Sequence, residues 1–164
     1  MKRLFLLRHA KSAWDEPDLS DFERTLNDRG TKAAASMGKL VVRREYKIDA
    51  IVSSPARRAA ETARLFSEAA NIGTAIEFVD RIYEASPQTL CGIASAFSDD
   101  LRSPLIVGHN PGMEGFIRLL TARSETMPTA ALAVIDLGVR KWNEIVPGCA
   151  TLVEVIRPRE QEFS

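Results

Sequence analysis

Short apolar runs alternate along the chain with segments of helical periodicity. Residues 4–7 (LFLL), 49–53 (DAIVS) and 104–108 (PLIVG) form continuous apolar runs, typical of strands buried on both faces of a parallel sheet. Elsewhere apolar residues recur every three or four positions and predict four helices. The four sets are Ala34, Met37, Leu40 and Val41; Ala59, Ala63, Phe66 and Ala70; Leu90, Ile93, Ala94 and Phe97; and Met113, Phe116, Ile117 and Leu120.

Two further runs, residues 132–137 and 151–156, predict strands that form a hairpin-like end. This order of elements predicts an α/β fold, a three-layer sandwich with a mostly parallel central sheet. A single domain over residues 1–164 is expected, because the chain contains no internal repeat or linker. Residues 12–27 are polar, and we predict that they form a loop over a site.

Charge and cysteine content exclude several classes of function. Lys plus Arg and Asp plus Glu both total 22, so no overall field favours nucleic acid or a membrane. The apolar run near the amino terminus is interrupted by Arg8, unlike a signal peptide, and no run is long enough to span a bilayer. Cys91 and Cys149 are far apart and outside any CxxC spacing, which indicates reduced thiols. We therefore expect a cytoplasmic protein.

The chemically informative residues follow three of the predicted strands. Ligands of such folds bind beyond the carboxyl ends of parallel strands. Arg8 and His9 follow the first strand, SSPARR at 53–58 follows the second, and GHNPG at 108–112 follows the third. His9 and His109 are the only histidines. Either one alone could be a core or surface residue, but together, at one sheet edge, they indicate a functional site.

Two of these segments also contain signals for the start of a helix. Ser54 precedes Pro55, and Asn110 precedes Pro111, as expected of a capping residue followed by proline in the first turn. The free amides of both helix ends would then point at the same crevice, where they favour an anion.

Arg57 and Arg58 are predicted to have different roles. Neighbours on a helix point about 100° apart, so only one of the two easily faces the crevice. Glu61 lies four residues after Arg57 and provides an ion-pair partner, whereas Thr62 lies four residues after Arg58. This spacing favours Arg57 on the surface and Arg58 in the crevice, where its guanidinium would bind the anion.

Other enzyme classes lack their characteristic elements in this sequence. Two histidines without an HExxH or CxxC partner are weak evidence for zinc. The chain has no GxSxG elbow, no Walker loop and no GxGxxG after a strand, which disfavours serine hydrolases, P-loop enzymes and dinucleotide-binding proteins. We expect neither a metal nor another cofactor.

Three segments resemble the motifs of the histidine phosphatase superfamily, also called phosphoglycerate mutase-like, and most closely its SixA-like phosphohistidine phosphatase branch. They are LRHAKS at 7–12, SSPARRAAETA at 53–63 and VGHNPGMEGF at 107–116. The resemblance implies a phosphoglycerate mutase-like fold and a nucleophilic His9. It also implies a phosphate pocket of Arg8, Arg58 and His109, which Ser12 extends.

The proton donor is left with two interpretations. Glu84, in DRIYEAS, resembles the acid position of the mutases, but it is equally consistent with a surface carboxylate before a helix. A phosphoester oxygen needs a proton as it leaves, whereas imidazole is already an adequate leaving group. The 19 residues from 85 to 103 allow one helix and no capping insertion, which suits a substrate presented on another protein.

The expected function is a phosphatase with a phosphohistidine enzyme intermediate that dephosphorylates phosphohistidine on a protein partner, with a role in signal transduction. Two alternatives stay open. One is a phosphomonoesterase of small phosphate esters, and the other is a non-catalytic phosphate-binding interaction module. Mutase activity ranks below these, and the oligomeric state is open.

Overall fold

The computed structural model describes residues 1–158, and residues 159–164 of the predicted 1–164 domain lie outside this part. In the described part, six strands form one sheet covered by four α-helices. The strands are β1 Lys2–Arg8, β2 Ala50–Ser53, β3 Ile76–Phe78, β4 Pro104–Gly108, β5 Leu132–Leu137 and β6 Ala150–Ile156. The helices are α1 Asp28–Arg43, α2 Arg57–Ala69, α3 Pro87–Ser95 and α4 Gly112–Thr121, with 3₁₀ turns at Asp21–Glu23, Asp80–Ile82 and Trp142–Glu144.

The sheet is mostly parallel, as predicted. Its strand order is β3-β2-β4-β1-β5-β6, with β1, β2, β3 and β4 parallel to one another. Strand β5 runs antiparallel to β1 and pairs with β6 in the predicted hairpin-like end. The sequence did not indicate β3, a three-residue edge strand with two exposed side chains.

Side chains of β1 alternate between two hydrophobic cores, one on each face of the sheet. Leu4 and Leu6 pack with residues of α3 and α4, while Phe5 and Leu7 pack with residues of α1 and α2. All four are fully buried, and burial of such a side chain contributes about 1.5–3 kcal/mol. This alternation confirms the predicted three-layer sandwich.

The loop of residues 12–27 returns to the end of β1 because α1 begins there. The Asn27 side chain accepts a hydrogen bond from the Gly30 N–H at 2.8 Å and caps the helix. A Cβ atom on Gly30 would lie 2.0 Å from the carbonyl oxygen of Lys11, so only glycine allows this approach. The start of α1 is thereby held against the segment that follows His9.

The predicted capping residues, Ser54 and Asn110, lie just before the N-cap positions of their helices, which are Ala56 and Pro111. Helix α2 begins at Arg57, three residues after Ser54, and α4 begins at Gly112, two residues after Asn110. The two N-cap residues make no side-chain hydrogen bond, but Oδ1 of Asn110 accepts from the Glu114 N–H in the first turn of α4 at 3.3 Å, and Oγ of Ser54 accepts from the Ala56 N–H at 3.2 Å. The Ser54 hydroxyl also pairs with the His109 imidazole, so this residue connects the start of α2 with the segment that follows β4.

Both cysteines, Cys91 and Cys149, are free thiols, as expected. Among residues 1–158, every helix is too short or too polar to cross a lipid bilayer.

Candidate active site

Parallel pairing of β1 with β4 brings the two histidines together. Arg8 is in register with Gly108, so His9 and His109 leave neighbouring strands side by side, with ring centroids 5.1 Å apart. From α2, Nη2 of Arg58 reaches to 3.4 Å from Nδ1 of His109. His9, Arg58 and His109 are each at most 8% exposed. Residues predicted from three distant segments therefore meet at one sheet edge.

A cavity of about 440 Å³ opens at this edge. It is lined by Arg8, His9, Lys11, Ser12, Trp14, Arg24, Arg58, Asn110, Pro128 and Thr129. Four of the six predicted site residues are in this lining, and His109 adjoins it through its contacts with His9 and Arg58. Within residues 1–158, no three His, Cys, Asp or Glu side chains cluster in a way that could hold a metal ion.

His9 is held neutral and in one tautomer. Its Nδ1 lies 2.8 Å from the carbonyl oxygen of Ala10, which only accepts, so Nδ1 carries the proton and Nε2 the lone pair. The Ala10 N–H donates to Oγ1 of Thr62, which donates to the carbonyl oxygen of Arg58. Burial, reinforced by nearby positive groups, lowers the pKa of His9 to about 3. The result is an imidazole suited to nucleophilic attack.

His109 is also neutral in the free protein. The Arg58 guanidinium only donates, so Nδ1 of His109 accepts and Nε2 carries the proton toward Oγ of Ser54, 2.8 Å away. Burial is the main cause that lowers the pKa of His109 to about 4, and the charge of Arg58 adds to it. A bound anion would oppose both effects and favour protonation.

Asp21 orients the guanidinium of Arg58. Nη1 of Arg58 donates to the Asp21 carbonyl oxygen at 2.7 Å, and Nη2 donates to Oδ2 at 3.1 Å. The Tyr83 hydroxyl donates to the same Oδ2 at 2.7 Å, and Arg24 donates to Oδ1 at 3.2 Å. The pKa of Asp21 is lowered mainly by the hydrogen bond from Tyr83, and Arg58 and Arg24 contribute to the same effect. The carboxylate is therefore charged and fixed on both oxygens.

The two neighbouring arginines separate as predicted. The side chain of Arg57 is 58% exposed, with Nε 3.7 Å from Oε1 of Glu61, whereas that of Arg58 is 8% exposed. Arg57 thus takes part in a surface ion pair, and Arg58 faces the crevice.

Arg8 lines the cavity and has one buried N–H group without a partner among residues 1–158. Nη1 of Arg8 donates to the Met127 carbonyl oxygen at 3.0 Å, while its buried Nε has no hydrogen-bond partner in the described part of the chain. The Asn110 amide donates to that carbonyl and to Oε2 of Glu114, which also accepts from the Met127 N–H. Burial lowers the pKa of Arg8. An unpaired buried N–H on a cation indicates an anionic ligand.

Ser12 lines the cavity and is 5% exposed. Its hydroxyl oxygen accepts a short hydrogen bond from Nη2 of Arg24. The hydroxyl proton is left to donate, so Ser12 has the chemistry to contact a phosphate oxygen.

Glu84 lies outside the cavity lining. It is exposed and adopts a left-handed conformation with φ of 54° directly after Tyr83. The pKa of Tyr83 is raised to about 12, mainly by its hydrogen bond to Asp21, and the charge of Glu84 adds to this effect. The Tyr83 ring is 5.5 Å from that of His109, so Glu84 follows a residue that contacts the site.

Several residues that shape the site were not identified from the sequence. Ser54 and Thr62 lie inside the segment 53–63, but only their tertiary contacts distinguish them from ordinary small polar residues. Asp21 lies in the polar loop among other acids, where no spacing marks it. Glu114 lies in the segment 107–116 and acts on Arg8 through Met127.

Comparisons with known proteins agree on one family. A model of the histidine phosphatase superfamily (branch 1) matches residues 4–102. The uncharacterized protein Rv1276c of Mycobacterium tuberculosis is 30% identical, over 93% of this chain and 100% of that protein. Among solved structures, a chain assigned as phosphohistidine phosphatase SixA from Agrobacterium tumefaciens is 32% identical, with a TM-score of 0.81 over 96% of this chain and 98% of that chain. The protein histidine phosphatase SixA in complex with tungstate has the same fold, with a TM-score of 0.84 at 20% identity over 96% of this chain and 98% of that chain.

Proposed function

Since the chain belongs to branch 1 of the histidine phosphatase superfamily and is therefore a phosphatase, we propose that it transfers a phosphoryl group first to His9 and then to water. In this proposal Arg8, Arg58 and His109 hold the phosphate oxygens, and Ser12 adds a neutral donor. The preferred substrate is phosphohistidine on a protein partner.

The observation that carries the proposal is the buried Nε of Arg8, which has no partner among the described residues and belongs to a side chain that lines the same cavity as His9 and Arg58. Arg58 is paired with Asp21, whereas Arg8 forms no ion pair within residues 1–158, and burying a cation is costly unless an anion compensates it. The forked donors of Arg8 and Arg58 match the oxygens of a phosphoryl group. A tetrahedral dianion at the end of β1 satisfies both requirements.

The chemistry proceeds in two displacements. In the first, the Nε2 lone pair of His9 forms a bond to phosphorus while the bond from phosphorus to the leaving group breaks and its electron pair departs with that group. In the second, water attacks the phosphohistidine, the bond to Nε2 breaks, and phosphate leaves. A proton on Nδ1 of His109 would add positive charge where the equatorial oxygens become more negative. These cationic donors supply the charge stabilisation without a metal.

Phosphohistidine is favoured as the substrate for two reasons. Helix α3 is the one element between Glu84 and β4 in the described chain, so no insertion covers the crevice, and a side chain of another protein has access. The second reason is the solved structure from Agrobacterium tumefaciens, which is 32% identical and is assigned as the phosphohistidine phosphatase SixA. Small phosphate esters are the second candidate, because Glu84 directly follows Tyr83, whose ring lies 5.5 Å from that of His109, and its protonated side chain would serve as the acid for a leaving oxygen.

The proposed phosphate pocket is tested by changing each of the two adjacent arginines, Arg57 and Arg58. Arg58→Ala should lower kcat/KM for 4-nitrophenyl phosphate by at least about a hundredfold, because one charged donor to the transition state is lost. Arg57→Ala is the matched control and should change it less than about twofold, since Arg57 forms a surface ion pair. Equal effects of the two changes would contradict the proposed pocket.

The nucleophile is tested by rapid quench with a ³²P-labelled substrate. The wild type should form a phosphoenzyme that is labile to acid and stable to base, as expected of a phosphorus–nitrogen bond, and chelators should leave turnover unchanged. His9→Ala should abolish both label and turnover. Phosphopeptide binding with no phosphoenzyme in the wild type would instead support the non-catalytic interaction module.

The role of Glu84 is tested by comparing substrates. We expect Glu84→Gln to slow hydrolysis of aryl and sugar phosphates and to spare a phosphohistidine protein, because only the esters need a proton on the leaving oxygen. Equal rates of variant and wild type on every substrate would remove Glu84 from the mechanism.

A further inference from the structure

Trp14 is the large exposed hydrophobic residue of the crevice. Its side chain is 79% exposed, yet it lines the same cavity as His9 and Arg58. Exposing an indole ring to water forgoes the free energy that its burial would provide. A large aromatic surface at the edge of a phosphate pocket therefore suggests contact with the part of the substrate that carries the phosphoryl group.

The ring of Trp14 rests on a fixed support. The guanidinium carbon of Arg24 lies 3.2 Å from the ring centroid, and the Arg24 side chain is only 12% exposed. Three acceptors hold this guanidinium, namely the Ala13 carbonyl oxygen, Oδ1 of Asp21 and Oγ of Ser12. One face of the indole is thus occupied by a cation. The high exposure of the side chain leaves the other face open.

The position suits the leaving group. In the proposed function the phosphoryl group lies against Arg8, His9 and Arg58, which line the same cavity as Trp14. In-line attack by Nε2 of His9 directs the leaving group away from the His9 ring. Aromatic rings gain about 0.5–1.5 kcal/mol from offset stacking beyond the area they bury. Trp14 offers a surface on which a planar leaving group can stack.

We propose that Trp14, supported by Arg24, is a specificity-determining residue that binds a planar leaving group, the imidazole of a phosphohistidine side chain. The inference rests on the proposed function and extends it to the recognition of the leaving group. Non-planar alkyl phosphates gain no stacking, so the same residue discriminates against them.

The experiment compares Trp14→Ala, Trp14→Phe and the wild type. The substrates are a phosphohistidine peptide and 4-nitrophenyl phosphate, both planar at the leaving group. Trp14→Ala should lower kcat/KM by about tenfold on both, and Trp14→Phe should retain most of it, because the ring is kept. The inhibition constant of inorganic phosphate, which has no leaving group, should stay within about twofold. Val146→Ala, an exposed hydrophobic residue outside the cavity lining, is the control and should have no effect.

Two results would overturn the inference while leaving the proposed function intact. One is His9-dependent turnover that is equally fast in Trp14→Ala and the wild type. The other is a loss in Trp14→Ala that is matched by weaker binding of inorganic phosphate, because Trp14 would then support the phosphate pocket and not the leaving group. Absence of any His9-dependent turnover in the wild type would overturn both proposals.

Discussion

The two buried histidines make the stability of the fold depend on pH. In an unfolded chain both imidazoles have a pKa near 6.5, whereas burial lowers the pKa of His9 to about 3 and of His109 to about 4 in the folded protein. Below pH ~6.5 the unfolded chain takes up protons that the folded chain excludes. The contribution of the two histidines to the free energy of unfolding is therefore at its maximum above this pH, and it falls as the pH drops toward the folded pKa values.

The size of the effect at pH 5 follows from this difference. This pH lies about 1.5 units below the unfolded pKa and above both folded values, and each unit corresponds to about 1.36 kcal/mol. At pH 5 each histidine therefore lowers the free energy of unfolding by about 2 kcal/mol, and the two together lower it by about 4 kcal/mol. Domains of this kind unfold with a free energy of about 5–15 kcal/mol, so the loss is large.

The assay is urea unfolding of the phosphate-free protein at pH 8 and pH 5. From pH 8 to pH 5 the free energy of unfolding of the wild type should fall by about 2 kcal/mol more than that of His9→Gln or His109→Gln. It should fall by about 4 kcal/mol more than that of the double variant. Because the chain has only two histidines, proton NMR follows both imidazoles directly. A double variant as sensitive to acid as the wild type, or an imidazole titrating near pH 6.5 in the folded protein, would refute the reasoning.

Two further predictions concern packing around the site. Glu114→Ala should lower the free energy of unfolding by about 1–3 kcal/mol in urea, because the Met127 N–H loses its acceptor; an unchanged midpoint would show that water replaces the carboxylate. Gly112→Ala places a Cβ atom 2.1 Å from the carbonyl oxygen of Ala85 and should cost about 1–3 kcal/mol, whereas Gly138→Ala meets nothing within 4 Å and is the matched control. Equal thermal midpoints of the two alanine variants would contradict this packing.

The sheet was predictable where its strands are buried on both faces. Strands β1, β2 and β4 are continuous apolar runs, and this pattern distinguishes them from amphipathic helices. Strand β3 has three residues at the sheet edge, none fully buried, so it leaves no hydrophobic signal. The strand order, with β4 between β1 and β2, was not predictable, because hydrophobic periodicity does not indicate which strands pair.

The site was predictable as far as its residues follow strand ends. The position of Arg58 also followed from helical spacing, because Arg57 alone has an acidic partner one turn away. Asp21 and Ser54 were missed for the same physical reason: their partners, Arg58 and His109, are distant in sequence, so no local pattern marks the contact. In the case of Ser54, a genuine capping preference pointed to a different role.

The position of β1 in the sheet has a consequence during synthesis of the chain. Within residues 1–158 this strand pairs only with β4 and β5, so its backbone groups have no strand partner until those later segments have been synthesised. Contacts of such long sequence separation form late and slowly. The segment carrying His9 is therefore synthesised before the strands that fix its geometry, and until they pair with it its apolar residues are a target for chaperones and for misassociation.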